Sequence, residues 1–432
     1  MTPRLNARTK RLEQPADLGG LVAQKPDIAW LTSGISLVAF GECVRVDPGT
    51  GQERFRGAAE EVETLLAGAA VEDEVDLPGS GPIAFGSWTF DPEVAGSAVV
   101  VPSTVYGVGE DGAWKTEIEW EEGNEALTAV RLGRGSSTQH EQRGSDVWEA
   151  AYPAGPESPL SQREWMGRVE TALERIRAGR LQKVVLAREV VLRSVRPLNP
   201  FEVLARLARQ YPGCFNFWFD GLVGASPELL VRRLGDVVDS IPLAGSAPRG
   251  ASEHEDAELG RRLRASPKDR AEHALTVETV MESLTPYCSH LVAEQEPSLL
   301  LLANMQHLST KVQGRLSDAA SALELVAALH PTAAVCGVPE GAALELIREI
   351  EGLDRGRYAG PIGWMDHKGD GEWAVALRCA EVKAQTARVF AGAGIVAGSD
   401  PALELEETDL KLNAMLSALE AKSPPARSSL PA

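Results

Sequence analysis

Acidic residues at helical spacing are the first candidates for chemistry in this 432-residue chain. Ser266-Pro267, a cap followed by proline at the first helical position, predicts a helix over Ser266–Leu284. At 100° per residue Ala274, Val277, Val280, Met281 and Leu284 form its apolar face, and Glu272 points almost opposite, beside Thr276, Thr279 and Ser283. A carboxylate among small neutral polar groups suggests a recess, although the helix dipole also favours an ordinary exposed Glu near the start. A last helix is expected over Ala402–Leu419, with Leu405, Leu412, Leu416 and Leu419 as its core stripe. Glu404, Glu407 and Lys411 share another face, where a surface Glu-to-Lys pair is the ordinary explanation. Carboxylates brought together from the two helices would instead suit Mg²⁺, a hard cation that takes oxygen ligands and keeps waters for a substrate anion.

Other residues offer complementary chemistry. Arg378 is expected on a strand with Ala374, Ala376 and Ala380 on the same face, which leaves room for its guanidinium to meet a substrate carboxylate or a structural acid. Ala391-Gly-Ala-Gly-Ile395 permits close backbone approach, but glycine in a strand also marks bulges. Lys183 opens a strand, where a lysine is ordinarily solvated; desolvation near other cations would make it a base. Glu228 follows Gly224-Ala-Ser-Pro227 and reads as a turn acid unless the fold sets it opposite Lys183. His330, before Pro331, reads as a packed or capping histidine.

The elements that must position these groups come in blocks. Residues 1–80 read as irregular, followed by strands at Pro82–Trp88 and Ser97–Val101. Gly133–Arg143 is loop-like and Ala151–Pro159 a linker. Ser161 and Glu164 have capping-box spacing at the start of a helix that Gly179 can close. Lys183–Arg193 is a β-branched strand, and Cys214–Phe219, Leu229–Leu234 and Val237–Pro242 suggest an antiparallel meander. Helices follow at Ala319–Leu329 and Ala342–Ile350, then long strands at Glu372–Val382 and Ala387–Val396. Blocks rather than strict alternation favour an α+β fold. The tail from Ser423 should be mobile.

Composition narrows the class. With 43 basic against 62 acidic side chains the net charge is −19, which argues against nucleic acid and anionic membrane surfaces as partners. No apolar run is long enough to span a membrane, and the first ten residues lack a secretory apolar core. Five scattered cysteines, none spaced C-x-x-C, suggest neither a disulfide framework nor a zinc site, and the chain reads as cytoplasmic.

Several segments in order resemble the chorismate-utilising enzymes, most closely the isochorismate synthases. They are Lys183–Arg188 (KVVLAR), Gly224–Leu230 (GASPELL), Pro242–Gly250 (PLAGSAPRG), Lys268–His273 (KDRAEH), Leu329–Gly337 (LHPTAAVCG), Asp354–Trp364 (DRGRYAGPIGW), Trp373–Ala380 and Ala391–Lys411. The likeness runs from about Leu160 to Leu419, with a weaker echo at Ala84–Pro92. It implies one α+β body with two large stacked antiparallel sheets, helices outside and a central cleft. Residues 1–155 would be a variable N-terminal part of that body, 156–421 the chorismate-binding catalytic region and 422–432 a tail.

By the same resemblance Glu272 and Glu407 would hold Mg²⁺, with Glu404 assisting through water. Arg378 and Tyr358 would bind the enolpyruvyl carboxylate, backbone amides near Gly392 and Gly394 an anionic oxygen, and Lys411 would balance the charge. Lys183 stands where isochorismate and salicylate synthases carry a base and anthranilate synthases typically carry glutamine. Ala244 replaces the nucleophilic lysine of aminodeoxychorismate synthases; Ser246 and Ala334 would line the pocket. The implied activity is an isomerase that adds water at C2 of chorismate with Lys183 as base and Glu228 as acid. A salicylate synthase, which goes on to eliminate pyruvate, is the alternative. No glutaminase partner is expected, and the enzyme would be a monomer. Isochorismate feeds menaquinone and catecholate siderophores, and HPTAAV leans towards the menaquinone type.

Overall fold

β-Branched residues dominate Lys183–Ser194, which forms a strand paired antiparallel with Thr386–Val396 from Lys183↔Val396 to Arg193↔Thr386. In the computed structural model, which describes residues 4–14, 16–121, 148–149 and 159–420, this pair lies within a sheet of thirteen described strands. A second sheet has nine strands and a third, small one has three. One contact, Arg4–Arg11 with Ala70–Asp73, is parallel; every other strand pair among the described residues is antiparallel. The expected α+β class is borne out.

The two large sheets share one core. Leu186, Phe217 and Phe390 from the first meet the same buried cluster as Val231, Trp364 and Trp373 from the second. Helices Pro200–Gln210 and Pro401–Ala418 cover the outer face of the first sheet, burying Leu204, Leu207, Leu412 and Leu416 against Val190, Leu192 and Val389. A fully buried leucine contributes roughly 1.5–3 kcal/mol, so this stripe is a large part of what holds the last helix in place. Among the described residues no helix is long and apolar enough to cross a membrane.

The structure corrects several expectations. The described residues between 4 and 80 include five strands and two helices. Leu5, Ala7 and Thr9 point inward from an otherwise polar strand, and Phe55, Ala58, Ala59, Val62 and Leu66 form the buried face of the Arg54–Ala67 helix. Their strands enter both large sheets, as Asn216↔Leu31 and Val44↔Val101 show. The helix expected to begin at Ser161 begins at Pro159, which suits a first turn, so Ser161 lies inside it. A capping box does form at Ser321 and Glu324, and it starts the next predicted helix at Ala322. The expected meander is split: Phe215–Phe219 and Leu222–Ser226 belong to the first sheet, Leu229–Leu234 and Val237–Ile241 to the second. The loop at 133–143, residues 151–158 of the linker and the tail from 423 lie outside the described residues.

Candidate active site

The split of the meander builds the site. At Pro227-Glu228 the chain leaves the first sheet and enters the second. Alongside, it returns from the Gly371–Val375 strand to the Cys379–Lys383 strand through Ala376–Arg378. Arg378 therefore does not sit within one long strand. The predicted Glu372–Val382 strand breaks there, and Arg378 takes φ +48°, a left-handed conformation that L residues adopt at a cost.

Both crossings open on a cleft with about 690 Å³ of empty space, part of it open to solvent. Glu228, Arg378, Tyr358, Ser246 and Ala334 line it from the crossings and the loops. Glu272, Glu407, Lys411, Gly392 and Gly394 line it from the two helices and the Thr386–Val396 strand. Lys183 is fully buried just behind that lining. Its Nζ donates to Thr276 Oγ1 at 3.0 Å and lies 3.1 Å from Glu272 Oε1. Glu404 is also set back, its carboxylate accepting from Lys268 at 2.5 Å.

The helix carrying Glu272 buries polar residues beside Val280 and Leu284. Glu272, His273 and Thr276 are buried while Ala274, assigned by the helical pattern to the apolar face, is exposed. Gly394 makes this possible, because a Cβ there would lie 2.0 Å from Glu272 Oε1 and 3.2 Å from Lys183 Cε. On the last helix Lys411 donates to the Gly392 carbonyl at 2.8 Å and pairs with Glu407 at 2.5 Å.

These surroundings set protonation. Burial pushes the Glu228 carboxyl up to about 8, against the opposing charges of Lys183 and Lys411, so near neutral pH it is held largely as the acid. Burial also acts on Glu407, but Lys411, Lys268 and Arg378 outweigh it and hold that carboxyl below its ordinary value. Burial and the neighbouring Glu407 raise Glu404 instead. Tyr358 is raised by burial and stacks on Phe390 with centroids 5.1 Å apart.

Arg378 is buried, and its Nη1 has no hydrogen-bond partner among the described residues. An unsatisfied buried guanidinium nitrogen costs free energy that an anion can recover, and a carboxylate matches its planar fork. Among the described residues no three His, Cys, Asp or Glu side chains form a metal cage. Glu272 and Glu407, both facing the cavity, nevertheless fit Mg²⁺, which is ordinarily held by one or two carboxylates while water and substrate oxygens fill the remainder.

The profile of the chorismate binding enzyme family matches residues 25–420. The chain belongs to that family. Isochorismate synthase DhbC of Bacillus subtilis is 36% identical over 395 residues, covering 89% of this chain and 91% of that protein. The salicylate biosynthesis isochorismate synthase of Pseudomonas aeruginosa is 36% identical over 425 residues, covering 92% and 86%. Among solved structures, MenF, the menaquinone-specific isochorismate synthase of Escherichia coli, superposes with a TM-score of 0.75 at 25% identity, covering 97% of this chain and 95% of that one.

In this chorismate binding enzyme three further groups belong to the site without a local sequence signal that marks them. Thr276, on the polar face of its helix, anchors Lys183. Lys268 partners Glu404, which a lysine four residues before Glu272 does not itself suggest. His307 lines the cavity and joins Ser246 to Arg378; the alternation of Met305, His307 and Ser309 could have marked one strand face, but not which face meets the cavity.

Proposed function

We propose that this protein is an isochorismate synthase that, with Mg²⁺, isomerises chorismate by adding water at C2 and expelling the C4 hydroxyl. The observation that carries the reading is Glu228, a carboxyl held protonated by burial, in the same cavity as the free guanidinium nitrogen of Arg378. An acid and an anion clamp facing one space suit a dianionic substrate with a poor leaving group.

Each residue then has a task. Arg378, beside Tyr358, binds the enolpyruvyl carboxylate. Glu228 delivers its proton to the departing C4 hydroxyl, which leaves as water. Lys183 takes a proton from the water that attacks C2, so that the ring double bonds shift and the atoms balance. General acid and general base each contribute roughly 10²–10⁴-fold. Mg²⁺ held by Glu272 and Glu407 would supply positive charge for the ring carboxylate, with Glu404 reached through water. Backbone amides near Gly392 and Gly394 receive an anionic oxygen, Lys411 balances the acids, and Ser246 and Ala334 shape the wall. Residues 156–421 carry this machinery, and the part before them completes the sheets.

The test is incubation of the purified protein with chorismate and Mg²⁺ and chromatographic separation of the products. Isochorismate is the expected product. Salicylate with pyruvate would make the enzyme a salicylate synthase, and unchanged chorismate would overturn both readings.

A further inference from the structure

His307 makes two contacts that together determine its tautomer. It pairs across strands with Ser246 in the small sheet, and its Nδ1 lies 2.9 Å from Ser246 Oγ. Its Nε2 lies 3.0 Å from Arg378 Nη2. A guanidinium has five donors and no acceptor, so Nε2 must receive that hydrogen bond through its lone pair. A ring with a bare Nε2 is neutral and carries its proton on Nδ1. Burial, and then the charges of Arg378 and Lys411, hold the ring well below its ordinary value, and the Gly245 backbone, which pulls the other way, does not offset them.

The consequence passes to Ser246. Nδ1–H is a donor, so the Ser246 oxygen accepts from it and the hydroxyl proton must point elsewhere. Ser246 lines the cavity, and among the described residues its hydroxyl has no second partner. Arg378 is likewise held through Nη2 while Nη1 is left free. We propose that His307 is a positioning residue: as the Nδ1–H tautomer it holds Arg378 through Nη2 and turns the Ser246 hydroxyl proton into the cavity. Both donors then face oxygen atoms of a bound carboxylate or enol ether. The part concerning substrate rests on the chorismate reading above; the tautomer does not.

Two measurements test it on the full chain. In ¹⁵N-histidine NMR of wild type, the signals lost in a His307 variant should show a protonated Nδ1 and a bare Nε2. A proton on Nε2, or on both nitrogens, overturns the proposal. His307→Asn keeps an amide N–H near Nδ1 but removes the acceptor for Arg378; His307→Gln places an amide oxygen near the position of Nε2. With Mg²⁺ saturating, His307→Asn should raise KM for chorismate about tenfold or more, the scale of one hydrogen bond to a charged group, with a smaller change in kcat. His307→Gln should recover most of that loss. Equal losses in the two variants, tracking their melting temperatures, would mean a merely structural histidine. Should wild type not act on chorismate, the functional reading fails, while the NMR result still decides the tautomer.

Discussion

Glu228 and Arg378 are tied into adjacent crossings between the two large sheets: the Glu228 carbonyl accepts from Val375 N at 3.2 Å and the Arg378 carbonyl accepts from Ala225 N at 3.1 Å. The acid and the anion clamp are thus anchored through backbone, each to the strand that leads to or from the other. Their separation is set by the sheets, with little left to loop motion. Substrate contacts placed in this way lose little entropy when they form.

Arg378 offers a free nitrogen from a fork whose other arm is already held. Arg378→Lys keeps the charge and loses the fork, so KM for chorismate should rise by about tenfold or more. Steady-state kinetics checks this; an unchanged KM would remove Arg378 from carboxylate binding.

Glu228 gives the stability a sign with pH. Burial raises its folded value to about 8 from an ordinary 4.5. Between these values the unfolded chain sheds the proton and the folded protein keeps it. Its contribution is therefore complete below 4.5 and falls away as pH rises to about 8. Denaturant titrations of wild type and Glu228→Gln across that window should differ in slope, the variant being flatter. Turnover by wild type should fall as pH climbs through about 8, and Glu228→Gln should lose roughly 10²–10⁴-fold in kcat.

Lys183→Ala removes the proposed base and takes away the amine nitrogen that lies 3.1 Å from Glu272 Oε1. Turnover should drop by roughly 10²–10⁴-fold. Because removal of the side chain opens the space beside the Glu272 carboxylate to a divalent cation, added Mg²⁺ should raise the melting temperature of this variant more than that of wild type. Thermal unfolding with and without Mg²⁺ decides it, and equal shifts would contradict the role given to Glu272.

Gly394 is the tightest steric constraint at the acids, since a Cβ there would meet Glu272 Oε1 at 2.0 Å. Gly394→Ala should displace that carboxylate and weaken Mg²⁺ binding by about 10–100-fold, as changes to the support of a ligand commonly do. Calorimetric titration with Mg²⁺ measures this directly. Wild-type affinity in the variant would show that Glu272 is not a ligand.

What could be read in advance followed how local each signal was. The Ser266 cap, the Pro267 start and the leucine stripe on the last helix are local, and the helices lie where those residues put them. The sequence pattern puts Arg378 within a strand because Ala374, Ala376 and Ala380 continue the alternation straight through the break, and nothing local marks a change of sheet. Apolar periodicity puts Ala274 on the core face because it assumes an apolar core; here the helix turns Glu272 towards a polar cavity and Thr276 towards Lys183. The Arg4–Arg11 strand reads as irregular because five of its eight residues are charged or amide side chains and only Leu5, Ala7 and Thr9 are buried. His307 acquires meaning through Ser246 and Arg378, 61 and 71 residues away, a relationship no spacing rule contains.

The pairings Asn216↔Leu31 and Ile362↔Ser87 place strands from the beginning of the chain in the interior of both sheets. Exchanging that segment between two relatives would therefore move a seam through buried tryptophans, such as Trp30, whose indole donates to Glu372 at 3.0 Å. Hybrids joined near residue 150 should fail by aggregation at bare strand edges before any question of catalysis arises. Natural variation in that segment has to keep in step with strands encoded hundreds of residues downstream.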